Sequence, residues 1–173
     1  MHSLIVGMTE SGKTLLSKCF IKIFNQKGIN SLVLDPMQDP EFNATYQTSN
    51  PDEFLQMVFL SRSCHVYVDE TGDAIGHYNP TMQTLATKGR HNGHSCFFIS
   101  QSVVQMPPII RGQSSQIYLF ATDNDGCKRI ANEYNSKNFM EGTKLKQGEF
   151  LHKTRFGKIT KGNVFEIAKR INL

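Results

Sequence analysis

Three separated stretches of this chain carry side chains that could act together on a chain of phosphates. The first is GMTESGKTLL at residues 7–16, where glycine, four residues, glycine, lysine and threonine follow one another. Gly7 and Gly12 permit backbone conformations that other residues resist. The N–H groups of Gly7, Met8, Thr9, Glu10, Ser11, Gly12, Lys13, Thr14 and Leu15 can therefore curl round phosphate oxygens. A helix opening near Lys13 points its positive end at the same oxygens. The Lys13 ammonium reaches the β- and γ-phosphates, and the Thr14 hydroxyl is placed for Mg²⁺.

The second stretch is VYVDE at 66–70. A β-branched and aromatic run feeds straight into Asp69, a strand-end acid of the type that holds Mg²⁺ through water beside the phosphates. Glu70 follows at once, and a carboxylate there can polarise an attacking water, as ATP hydrolysis requires. The third stretch, SCFFISQS, ends a dense apolar run in Gln101. An amide both donates and accepts, so Gln101 beside a γ-phosphate could orient that water and report whether the phosphate is present. Arg90 lies just before this run and so away from its own nucleotide. As a finger offered to the site of an adjoining subunit it would stabilise charge on the departing phosphoryl group, which implies a ring. Arg111, after Pro107–Pro108, is the rival candidate.

These groups need a scaffold that brings strand ends to one edge. SLIVG reads as a strand before the loop, and TLLSKCFIKIF after it has apolar residues at helical spacing. Ser31 to Leu34 reads as a buried strand ended by Asp35–Pro36. MQDPEFNATYQTSN reads as a loop, and PDEFLQMVFLSR as a short helix with acids at its start. TGDAIGHYNP reads as another loop, TMQTLATKGRHNG as a helix closed by Gly93, and VVQMPPIIRGQS as irregular at its prolines. SQIYLFATDND is a further strand, GCKRIANEYN a helix, and GEFLHKTRFGKIT a hairpin turning near Gly157. The alternation predicts an α/β fold: an open, mostly parallel sheet with helices on both faces and a C-terminal β-hairpin, ligands collecting at the strands' C-terminal ends.

The chain has 173 residues and 39% hydrophobic residues, which suits one domain over 1–173 with a single core. No apolar run approaches a membrane span, and the six residues before Gly7 cannot form a signal peptide. Cys19, Cys64, Cys96 and Cys127 lie far apart with no CxxC pairing, which predicts buried free thiols rather than disulfides or zinc. His91 and His94 are three apart with no second pair, and read as solvated loop residues. Residues 137–173 hold nine Lys/Arg against three Glu, a net +6 within a chain of net +4. That basic end could face nucleic acid, or its lysines could guard an edge hairpin against aggregation.

GMTESGKT, VYVDE and KGRHNGHSCFFISQS together resemble the FtsK–HerA superfamily of P-loop motor ATPases. The small size and PPIIRGQSSQIYLF look most like its viral genome-packaging branch, the tectivirus-like and poxvirus-like ATPases. The match runs from about Leu4 to Phe120, more loosely through the final hairpin. The resemblance implies a RecA/ASCE-type ATPase domain that binds ATP through Gly7–Leu15, with Mg²⁺ held at Thr14 and Asp69. It implies Lys13, a base at Glu70, a γ-phosphate sensor at Gln101 and a trans-acting finger at Arg90 as the catalytic set. Its implied partners are double-stranded DNA, capsid or membrane-vertex proteins, and further copies of the chain in a pentameric or hexameric ring. The implied location is the virion or the host cytoplasm. Cellular members carry extra strands or a domain before the loop, so the DNA-gripping parts found there would be absent or come from another protein. Glu10 stands where the family commonly has a small residue.

Two other readings fit parts of the chain. A small P-loop kinase of a nucleoside or metabolite fits the size, but no RxxxR-type lid is visible. An assembly or secretion ATPase without DNA binding fits the loop, but such proteins carry a transmembrane helix. The loop TGDAIGHYNP, after the acid pair, is the candidate for gripping DNA.

Overall fold

The computed structural model describes residues 1–69 and 80–173. SLIV forms β1 (Ser3–Val6), and the phosphate loop leads into α1 (Lys13–Asn25). Then come β2 (Ser31–Leu34), a short edge strand β3 (Tyr46–Thr48), α2 (Pro51–Leu60) and β4 (His65–Val68). After them lie α3 (Pro80–Lys88), β5 (Ser95–Ser100), α4 (Pro108–Gln113), β6 (Gln116–Leu119) and α5 (Asn124–Glu133). β7 (Glu149–Thr154), β8 (Thr160–Asn163) and α6 (Val164–Arg170) complete the chain.

The strands form one eight-stranded sheet in the order β3-β2-β4-β5-β1-β6-β7-β8. β1 pairs in parallel with β5 on one side and β6 on the other, and β4 pairs in parallel with β5. Among the described residues the antiparallel pairs are β6 with β7 and β7 with β8. Parallel strands buried on both faces need continuous apolar runs. Here Leu4 and Val6 face one core and Ile5 faces the other. The first core packs α2 to α5 on one face through Leu55, Leu85, Ile110 and Ile130. The second packs α1 and α6 on the opposite face through Leu16, Cys19, Val164 and Ala168. The fold is therefore the predicted mostly parallel α/β sheet, covered on both faces.

The structure departs from the sequence reading in several places. The segment 37–50, read as loop, contains a 3₁₀ turn at Pro40–Phe42 and the strand β3. Pro108 does not break a helix but opens α4, because a first-turn N–H would have no intrahelical partner there. α3 ends in a 3₁₀ turn at Gly89–Asn92, and Gly93 closes it at φ 77. His94 is a core residue, not a solvated one. Its Nδ1 accepts from the Cys64 N–H at 3.1 Å, and its Nε2 donates to the Val58 carbonyl at 2.9 Å. The four cysteines are buried free thiols, as expected. Among the described residues no helix is long and apolar enough to cross a membrane, and no cluster of metal-ligating side chains occurs.

Candidate nucleotide site

β1 lies between β5 and β6, so the loop that leaves it is fixed from both sides. The Gly7 N–H donates to the Ser100 carbonyl at 3.3 Å and the Met8 N–H to the Ala121 carbonyl at 2.8 Å. Any side chain at Gly7 would place its Cβ 2.5 Å from the Phe120 Cβ, which the strand end cannot yield. Gly12 turns at φ 114 and caps α1 with no side-chain hydrogen bond. The first N–H groups of a helix have no partner within it, and here no cap competes for them. Glu10 sits at φ 62, a left-handed conformation that costs a non-glycine residue about 1–2 kcal/mol. A glycine at that position would relieve the strain.

Lys13 is 8% exposed and bends back over the loop, its Nζ donating to the Met8 carbonyl at 2.9 Å. Thr14 and Leu15 are half-buried in the first turn of α1. The Thr9 Oγ1 donates to Gln101 Oε1 at 2.9 Å, so the residue that follows β5 touches the loop that follows β1. Asp69 follows β4, and its N–H donates to the Leu34 carbonyl at 2.9 Å. Since β4, β5 and β1 are consecutive neighbours, Asp69, Gln101 and the loop share one edge of the sheet. Glu70 and the loop TGDAIGHYN after it lie outside the described residues.

Arg90 is exposed in the turn before β5, at the opposite edge of the sheet, with its Nη2 donating to the Gln113 carbonyl at 3.3 Å. It therefore does not join its own site. Arg111, the rival, is committed internally. It is 6% exposed, its Nε pairs with Glu133 Oε1 at 2.7 Å, and its Nη1 donates to the Met106 and Val103 carbonyls. A guanidinium held in this way cannot reach a neighbouring subunit.

The reading from sequence missed the far wall of the loop. Gln147 Nε2 donates to the Glu10 carbonyl at 3.1 Å, and the Gly148 N–H to the Ser11 carbonyl at 3.0 Å. The segment before β7 thus clips the phosphate loop from the side opposite Gln101. Gly148 turns at φ 82, and only that glycine, unremarked between Gln147 and Glu149, signalled the turn. The basic end is also partly spoken for. Lys153 is buried with its Nζ on the Thr154 and Arg155 carbonyls, and Arg155 donates to the carbonyls of Arg111, Gly112 and Ser114. Arg155 closes the C-terminal end of α4 rather than facing outward.

No protein-family model matches the chain. A search of curated proteins likewise finds no match. Solved structures do match. The loop, the strand order and the two helical layers together are the fold of P-loop NTPases, and the comparisons agree with that class. The chain is similar to B204, the DNA-packaging ATPase of Sulfolobus turreted icosahedral virus, at a TM-score of 0.76 and 19% identity, over 94% of this chain and 96% of that one. Against the genome-packaging NTPase B204 of Sulfolobus turreted icosahedral virus 2, in complex with ATP-gammaS, the TM-score is 0.79 at 18% identity, over 94% and 96% of the two chains. The conjugation coupling protein TcpA of pCW3, with ATPgS, matches at a TM-score of 0.70 and 13% identity, over 98% of this chain and 64% of that one. These likenesses establish the fold, and they fall on genome-packaging NTPases and a conjugation coupling protein, the group that the motifs resemble.

Proposed function

We propose that this chain is a Mg²⁺-dependent ATPase that works as a ring and moves double-stranded DNA, in the manner of a viral genome-packaging motor. The observation that carries the reading is the Thr9–Gln101 hydrogen bond, which joins the phosphate loop to the sensor at the end of β5. Two features of the loop fit a triphosphate with Mg²⁺. Gly7 has no room for a side chain, because Phe120 Cβ stands 2.5 Å from where its Cβ would be, so the loop backbone stays bare where it leaves β1, and Ser11 Oγ is buried with no hydrogen-bond partner among the described residues.

When bound, ATP supplies the phosphoryl group passed to water, and Mg²⁺ neutralises charge on its oxygens. The backbone of Gly7–Leu15 holds the phosphates, and Lys13 neutralises the β- and γ-oxygens. Thr14 and Asp69 are the residues that would hold the cation. Gln101 orients the attacking water, and Glu70 takes its proton. Arg90 of a neighbouring subunit completes the site, which is why the working form is a ring. The whole chain, 1–173, acts as one ATPase domain. Capsid or membrane-vertex proteins are its docking partners, and the virion and host cytoplasm are where it acts. Turnover of ATP with and without double-stranded DNA tests the reading.

A further inference from the structure

Lys13 reaches the β- and γ-phosphates, and Gln101 and Asp69 mark the γ end of the bound chain, on the β4–β5 side of β1. The α-phosphate, with the ribose and base beyond it, must then leave past Thr14 and Leu15 on the other side. That side is walled by β6, β7 and α6.

Beside the buried rings of Phe120 and Phe150, a half-exposed aromatic ring, Phe165, stands there. The Gly148 N–H donates to Ser11, and the Val164 N–H donates to the Gly148 carbonyl at 2.8 Å, so the start of α6 is two hydrogen bonds from the loop. Val164 Cγ1 lies 3.0 Å from where a Cβ on Gly12 would be. Phe165, the next residue, is 48% exposed. Its ring occupies the space a side chain at Gly148 would need, with Cε2 2.4 Å and Cδ2 2.5 Å from that Cβ position. The Asn163 side chain caps the helix by accepting from the Phe165 N–H at 2.9 Å. A single half-exposed phenylalanine is ordinary on a protein surface. This one packs against a left-handed glycine that also clips the phosphate loop, on the β6–β7 side of that loop.

We propose that Phe165 is the stacking platform for the base of the bound nucleoside triphosphate. The proposal rests on the reading of residues 7–15 as a triphosphate site and adds the subsite that the phosphate loop does not supply. Stacking a base on an aromatic ring is tolerant of base identity, because every base presents a π-face. The segment 147–165 therefore couples base occupancy to loop geometry, since Gln147 and Gly148 hold Glu10 and Ser11 directly.

The test compares ATP with inorganic tripolyphosphate, both with Mg²⁺, on the full chain. The chain has no tryptophan, so Phe165→Trp introduces a single reporter where the base should stack. We expect ATP to quench that fluorescence and tripolyphosphate to leave it unchanged. Phe165→Ala should weaken ATP binding by about tenfold or more with tripolyphosphate affinity unaltered, and Phe165→Tyr should bind ATP nearly as the parent does. Equal ATP affinity in the parent and in Phe165→Ala, with Lys13→Ala abolishing binding, would overturn the platform and leave the phosphate site standing. Failure of the parent to bind either ligand would overturn both.

Discussion

The Thr9 hydroxyl donates to the Gln101 amide oxygen at 2.9 Å, joining two residues 92 positions apart. The phosphate loop therefore feels the position of Gln101. As the proposed γ-phosphate sensor, Gln101 is expected to act on turnover rather than on binding. Gln101→Ala should lower ATP turnover by roughly 10²–10³-fold, the cost of removing one group that acts only as charge develops. Its ATP affinity should change little. Thr9→Val removes only the link, and a smaller loss, under about tenfold, is expected. Steady-state rates and equilibrium binding, measured separately on each variant, check the split.

The two arginines are predicted to fail differently. Arg111→Ala strands Glu133 and removes the donor on the Met106 carbonyl, so it should cost about 3–5 kcal/mol of stability in denaturant melts. Arg90→Ala touches an exposed side chain and should shift stability by less than about 0.5 kcal/mol. Its effect should appear only between subunits. Mixing inactive Arg90→Ala with inactive Lys13→Ala should restore activity, because the intact loop of the first can be served by the intact Arg90 of the second. A mixture as inactive as its parts would place the arginine outside the reaction.

Stability should fall in mild acid. Burial is the main cause holding His2 and His65 down at about 4, against an ordinary value of 6.5. His2 Nδ1 accepts from the Cys96 N–H at 3.1 Å, a bond that the protonated ring cannot accept. Between about pH 6.5 and 4 the unfolded chain binds protons that the folded chain refuses. Stability is thus whole above 6.5 and is lost as the pH drops toward 4. His2 alone gives a slope approaching about 1.4 kcal/mol per pH unit. Urea midpoints at pH 7, 6, 5 and 4.5 read it, and His65→Phe, which keeps the packing against Phe24 and Phe97, should flatten the curve.

Salt dependence of DNA binding separates working charges from structural ones. Lys153 and Arg155 are used inside the molecule, so replacing them should lower stability. Lys137, Lys144, Lys146 and Lys158 are exposed. Replacing any one that contacts the DNA backbone should reduce the slope of log K against log salt by roughly one. An unchanged slope for all four would assign them to solubility.

The loop and the sheet were legible because their signals are local. Glycine spacing around Lys13, apolar runs leading into Asp69 and Gln101, and a helical pattern after Thr14 each sit within about a dozen residues. What stayed hidden depends on distant partners. Arg111 looks like any surface arginine until Glu133 closes on it, and His94 looks solvated until Val58 and Cys64 enclose it. Pro107–Pro108 reads as a breaker, although the second proline has the backbone angle that starts a helix. The clip from Gln147 and Gly148 crosses more than 130 residues of chain to reach Glu10 and Ser11, and no periodicity announces it.

The most direct test of the whole account is ATP turnover by the purified chain with and without double-stranded DNA, set beside Glu70→Gln. The account predicts turnover that rises when DNA is added and falls by at least about 10²-fold in the variant, with nucleotide binding kept. Turnover indifferent to DNA and unaltered by Glu70→Gln would contradict it.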